Sequence, residues 1–154
     1  MRRVELRWPL EAAPVVEGRA LVLDTNVVLD LLVFADPATA LVRELLHRQA
    51  LRWLATAAMR QELARVLDYP KIAPRVAFYG LSAAGVLAAF DAQTQIVPVA
   101  ARIPATCRDA DDQPFLDLAA AHSAILLSKD QAVLALRKRL LVYGALVANV
   151  LVPY

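Results

Sequence analysis

Four acids in this sequence have the type and placement that metal-dependent chemistry requires: Asp24, Glu62, Asp112 and Asp130. Asp109 and Asp111 stand beside the third, in the run Arg108-Asp109-Ala110-Asp111-Asp112. Carboxylates brought close together repel and raise one another's pKa, so they stay ionised at low cost only with cations between them. Oxygen donors of this kind suit hard ions such as Mg²⁺ or Mn²⁺. A zinc site is not expected, because Cys107 is the only cysteine and His47 and His122 stand alone. An ion held by such acids lowers the pKa of a bound water and can neutralise charge that develops on oxygen. No side-chain nucleophile is needed.

The elements that must position these acids alternate between two periodicities. Ala20 to Leu23 is a short apolar run that predicts a buried parallel strand, and Asp24 closes it. A helix is expected from Val27 to Phe34 with Asn26 as its cap, and another from the Asp36-Pro37 start to Arg48. Arg52 to Ala55 is the second predicted strand, followed by a helix over 57–67 that carries Glu62. Residues 74–91 are predicted helical, with Ser82 as an internal cap, and Thr94 to Val99 is strand-like, though Pro98 points to an early stop. A helix over 113–122, a strand over 124–127, a helix over 131–136 and a final strand over 146–152 complete the pattern. Strands alternating with helices predict a three-layer α/β/α sandwich around a central, mostly parallel sheet. Such sheets bind ligands at the carboxyl ends of their strands, and the start of a following helix lies on that same edge. Asp24, Asp112 and Asp130 therefore converge on one edge, and Glu62 sits at the border of its helix's apolar face, where it can lean over them.

Each acid also has a plainer structural reading. Asp112 and Asp130 stand where a helix N-cap is wanted, and Glu62 alone is an exposed helical glutamate near Arg65. Asp24 resists this, because an acid closing a buried strand is costly to desolvate without a cation or donors. With 154 residues, 59% of them apolar, the chain is long enough for one domain with a core. We expect residues 1–18, with two prolines and mixed charge, to be an N-terminal extension, and residues 19–154 to be the domain. The net charge of +2 implies no strong overall attraction to nucleic acid or membrane, but it allows an acidic pocket within a basic rim. Arg2, Arg3, Arg7 and Arg137-Lys138-Arg139 supply candidate rim cations. Cys107, expected at a strand end, cannot form an intrachain disulfide, which fits the cytoplasm. No apolar run has the length of a membrane span, so a soluble protein is expected.

Taken in order, four segments resemble a known family. Leu21-Val22-Leu23-Asp24-Thr25-Asn26-Val27 resembles the opening motif of PIN domains. Glu62-Leu63-Ala64-Arg65-Val66-Leu67-Asp68-Tyr69-Pro70-Lys71 resembles the second motif of one PIN subfamily, the VapC-like toxins of toxin–antitoxin pairs. Cys107 to Leu116 resembles its third motif, and Leu127-Ser128-Lys129-Asp130 its fourth. The resemblance spans roughly residues 19–153. It implies that Asp24, Glu62, Asp112 and Asp130 are the family's four acids, with Asp109 or Asp111 assisting. It also implies that Thr25 or Asn26 and Ser128 orient acids or metal-bound waters. Lys129 stands where a small residue is usual, and is placed to contact phosphate or to fill part of the site. Gln113-Pro114 stands where the pair is often acidic then basic; if the family's acid belongs at 113, Asp112 or Asp117 substitutes for it. The resemblance implies an Mg²⁺- or Mn²⁺-dependent endoribonuclease acting on single-stranded RNA, an antitoxin partner and a homodimer. The competing expectation is a non-catalytic PIN-fold binding protein. A receiver-like domain fits poorly, because Lys129, the one tempting match to its lysine, directly precedes an acid. A haloacid-dehalogenase reading lacks the second acid after Asp24.

Overall fold

The computed structural model describes residues 3–8 and 18–154. Five parallel strands form the main sheet in the order β4-β3-β2-β5-β6. These are β2 (Arg19–Leu23), β3 (Leu51–Ala55), β4 (Thr94–Ile96), β5 (Ile125–Leu127) and β6 (Leu146–Ala148). The chain starts in the centre of the sheet, steps outward through β3 to β4, then returns to β5 on the other side of β2. The switch in direction lies between β2 and β5, and parallel sheets form their ligand crevice at such a point. Leu21, Val22, Ile125 and Leu126 are fully buried, as continuous apolar runs covered on both faces should be.

Helices flank this sheet. The first crossover carries α1 (Thr25–Leu32) and α2 (Ala40–His47), joined through a 3₁₀ turn at Pro37–Thr39. The second carries α3 (Ala57–Leu67), α4 (Ala73–Phe78) and α5 (Ala83–Gln93). Helices α1, α3 and α5 pack on one another, while α6 (Gln113–His122) lies across β2 and β5. Short helices α7 (Gln131–Leu134) and α8 (Arg137–Leu140) lead back to β6. This is the expected three-layer α/β/α arrangement. Trp53 is the largest fully buried side chain among the described residues, and its ring meets Phe90 edge-on at 5.2 Å.

Several boundaries differ from the sequence reading. The first helix begins at Thr25, with Asp24 rather than Asn26 at its cap position. The stretch 74–91 is two helices. Gly80, at φ +72°, ends α4 in a Schellman motif, with Leu81 N–H bonded to the Val76 carbonyl and Gly80 N–H to that of Ala77. Ser82 then opens α5 by accepting from Gly85 N–H at 3.0 Å. The helix expected to run to residue 136 ends at Leu134 and is followed by α8. Cys107 lies in a loop, not at a strand end.

The final strand is also two. β6 belongs to the main sheet, and β7 (Val150–Pro153) pairs in parallel with β1 (Glu5–Trp8) in a second, two-stranded sheet. Asn149 makes the break. Its Oδ1 accepts from Val4 N–H and its own N–H donates to the Val4 carbonyl, both at 2.9 Å. Strand β1 falls within the stretch read as an extension, of which residues 1–2 and 9–17 lie outside the described residues. Val4, Leu6 and Trp8 pack half-buried against the core, and the Arg19 guanidinium sits over the Trp8 ring at 5.8 Å. Among the described residues no single helix is long and apolar enough to cross a membrane.

Candidate metal centre

One hydroxyl bridges the carboxyl ends of β2 and β5. Asp24 follows β2 and Ser128 follows β5, and Ser128 Oγ donates to Asp24 Oδ2 at 2.6 Å. The same Ser128 oxygen accepts from Asp130 N–H at 3.1 Å, so one side chain fixes two acidic positions. On the other flank Thr25 Oγ1 donates to Glu62 Oε2 at 3.1 Å, tying α3 to the start of α1. Glu62 faces inward from the middle of α3 because Met59, Leu63 and Leu67 turn that helix's apolar stripe onto the core.

The third acidic segment is held differently. Asp109 Oδ1 accepts from Asp111 N–H at 3.0 Å and so caps a 3₁₀ turn over Ala110–Asp112. Asp112 stands at the N-cap position of α6 but makes no side-chain capping bond, which leaves its carboxyl for the site. Asp130 does cap its helix, through Ala132 N–H at 2.8 Å. Ligand oxygens of Asp109, Asp112 and Asp130 lie within 4.8 Å of one another. Six oxygens around Mg²⁺ at 2.0–2.1 Å stand about 3 Å apart as neighbours and about 4 Å apart as opposites. The three carboxylates are thus already near coordination spacing. Asp112 Oδ2 is buried and has no hydrogen-bond partner among the described residues, and a cation there would satisfy it.

Electrostatics join the two halves. Burial, a hydrogen bond to Asp130 and the charges of Asp24, Asp130 and Asp109 push the Asp112 carboxyl up to about 8. Burial also raises Asp24, opposed by the Ser128 hydroxyl and the Thr25 amide and reinforced by the charge of Asp130. Glu62 is raised by burial and by the Asp24 and Asp111 charges, against the Thr25 hydroxyl and Arg65. In all three burial is the main cause, and neighbouring carboxylates add to it. All-carboxylate chemistry, close spacing and an orphaned buried oxygen together fit a hard divalent cation.

Of the other residues singled out in the sequence, Asp111 and Asn26 are exposed. Lys129 Nζ pairs with Asp30 Oδ2 at 2.7 Å, so its charge is directed to α1. Asp117 is buried one turn into α6 and is not among the close-set ligand atoms; it accepts from Ile103 N–H at 3.1 Å and Gln113 Nε2 at 2.9 Å. Sequence reasoning missed Gln113 as an organiser. Its Oε1 accepts from Cys107 N–H at 2.7 Å and its Nε2 donates to the Ala105 carbonyl at 3.0 Å. The available signal was the four-residue spacing of Gln113 and Asp117, one helical turn.

Residues 20–132 match the family model of the PIN domain. No curated protein matches the chain.

Proposed function

The chain belongs to the PIN-domain family, whose members are in general metal-dependent nucleases, and from that premise we propose that it is an endoribonuclease cutting single-stranded RNA. The observation that carries this reading is the meeting of Asp109, Asp112 and Asp130, with Asp24 joined to them through Ser128. Asp24, Glu62, Asp112 and Asp130, assisted by Asp109, would hold Mg²⁺ or Mn²⁺. Bound there, the ion supplies Lewis acidity, lowering the pKa of water and offsetting phosphate charge.

The chain's own residues do the rest. Ser128 holds Asp24 Oδ2 by a hydrogen bond and opposes the burial that favours its protonated form. Thr25 does the same for Glu62 across the crevice. Burial and the neighbouring acids push the Asp112 carboxyl up to about 8, so binding a cation there would be coupled to proton release. Single-stranded RNA is the favoured substrate because its phosphates are accessible and its bases can splay away from the protein.

Resemblance of the Glu62–Lys71 and Cys107–Leu116 segments to the VapC-like subfamily supports a role as the toxin of a toxin–antitoxin pair. In that role the chain acts in the cytoplasm as a homodimer, restrained by an antitoxin protein.

Incubation of purified protein with single-stranded RNA and Mn²⁺ tests the activity. Cleavage that EDTA and Asp24→Asn both abolish is expected. No cleavage by the wild type, or cleavage that survives Asp24→Asn, overturns the proposal. Growth arrest on induced expression, relieved by the product of the adjoining reading frame, tests the toxin role.

A further inference from the structure

A cavity of about 330 Å³ opens beside the carboxylates, between the 102–107 loop and the start of α6. Arg102, Thr106, Ala110, Gln113, Pro114 and Asp117 line it. Ala110 sits between Asp109 and Asp111, so the cavity and the acidic cluster share one turn of chain.

Its floor is already satisfied. Gln113 spends its carboxamide on Cys107 N–H, the Ala105 carbonyl and Asp117, and Asp117 accepts in addition from Ile103 N–H. Those bonds make a rigid base with apolar walls at Ala110 and Pro114. The mouth is different. Arg102 is exposed and donates one bond, from Nη2 to Thr106 Oγ1 at 3.0 Å. Among the described residues no carboxylate forms an ion pair with it, although Asp117 lines the same cavity. A guanidinium carries five donors in a planar fork that fits a phosphate, and most of this fork is unspent.

We propose that this cavity receives the nucleotide adjoining the scissile bond, with Arg102 gripping that nucleotide's phosphate. The inference rests on the ribonuclease reading above. A strand whose scissile phosphate lies at the carboxylates carries its next phosphate past the shared turn, toward Arg102. The volume lies at the lower end of the range for small-ligand sites, as suits one nucleotide.

The test compares wild type, Arg102→Gln and Arg102→Lys on one single-stranded RNA with Mn²⁺. Arg102→Gln should raise KM roughly tenfold, the loss of one charged hydrogen bond, with kcat nearly unchanged. Its log(kcat/KM) should fall less steeply with log salt, by about 0.7 for one lost phosphate contact. Arg102→Lys should restore the salt slope. In an Asp24→Asn background, fluorescence anisotropy should show the same weakening without cleavage. Substrates carrying one neutral methylphosphonate at successive positions then locate the contact: wild type should lose affinity at one flanking phosphate where Arg102→Gln is indifferent. Equal KM and equal salt slope for wild type and Arg102→Gln overturn the inference while leaving the nuclease reading intact. A loss confined to kcat overturns it too, because Arg102 would then act on the cleaved bond. A wild type that cuts no RNA sinks both.

Discussion

Ser128 reaches back over 104 residues of chain to donate a 2.6 Å hydrogen bond to Asp24. The bond crosses the point where the sheet changes direction, and both partners are buried. Ser128→Ala leaves a buried carboxyl without its donor, which should cost about 1–3 kcal/mol. The Asp24 carboxyl then moves still higher, because the hydroxyl was lowering it. Divalent-ion affinity should fall roughly 10–100-fold, the usual cost of losing an orienting partner. Calorimetric titration with Mn²⁺ and urea denaturation measure the two losses; unchanged Mn²⁺ affinity would show that the hydroxyl does not orient the site.

The metal-free protein should lose stability as pH rises. Asp112 is pushed up to about 8, far above the usual carboxylate range, so the folded state keeps a proton that the unfolded chain has released. Such a group stabilises fully below its unfolded value, and the benefit is lost as pH rises through about 8. Asp24 and Glu62 are shifted in the same direction and add to the trend. Melting temperatures in EDTA should fall between about pH 5 and about pH 9. With Mn²⁺ the fall should shrink, and Mn²⁺ affinity should climb toward about pH 8 as the proton leaves. A metal-free protein that grows more stable across this range contradicts the crowding of acids described here.

Gln113 tests the loop that carries the third acidic segment. Gln113→Leu leaves Cys107 N–H, the Ala105 carbonyl and one Asp117 bond unmet in a buried place, at a cost of roughly 2–4 kcal/mol. Gln113→Glu keeps an acceptor for Cys107 but sets a second carboxyl against Asp117, so its destabilisation should grow with pH. Urea midpoints for the two variants at about pH 6 and about pH 8 separate the effects. Equal losses at both pH values would rule out the repulsion.

Deleting residues 1–8 removes strand β1 and bares the strand it pairs with. Half-buried Val4, Leu6 and Trp8 leave the core with it. A loss of roughly 2–4 kcal/mol is expected from that burial, together with a greater tendency to associate through the exposed edge. Light scattering and thermal unfolding of the truncated chain report both; a chain of unchanged melting temperature would show the pairing to be incidental.

Some of this was legible in the sequence and some was not, for physical reasons. Leu21-Val22-Leu23 and Ile125-Leu126-Leu127 are apolar on both faces, so period and length alone placed them as inner strands and put Asp24 and Ser128 at their ends. Which of Asp109, Asp111 and Asp112 turns inward depends on a three-residue 3₁₀ turn, which has no periodic signature. Gln113 and Asp117 bond a loop of irregular backbone, and nothing in residues 103–107 announces which side chain will satisfy it. Strand β1 alternates weakly, with Val4, Leu6 and Trp8 inward, but its partner lies at the other end of the chain, beyond any local window. The split at Gly80 was written in the sequence as glycine followed by a capping serine, and helical composition on either side masked it.

The pairing of Glu5 with Val150 spans almost the whole polypeptide. Closing so large a loop is slow and entropically costly, and it gains little until both ends are tethered by structure already in place. Residues 20–132, which contain every acid of the cluster, can therefore condense before the two termini zip together. That order would make the β1–β7 ribbon the last part to form and the first to fray, a fastener whose strength can vary without disturbing the acids.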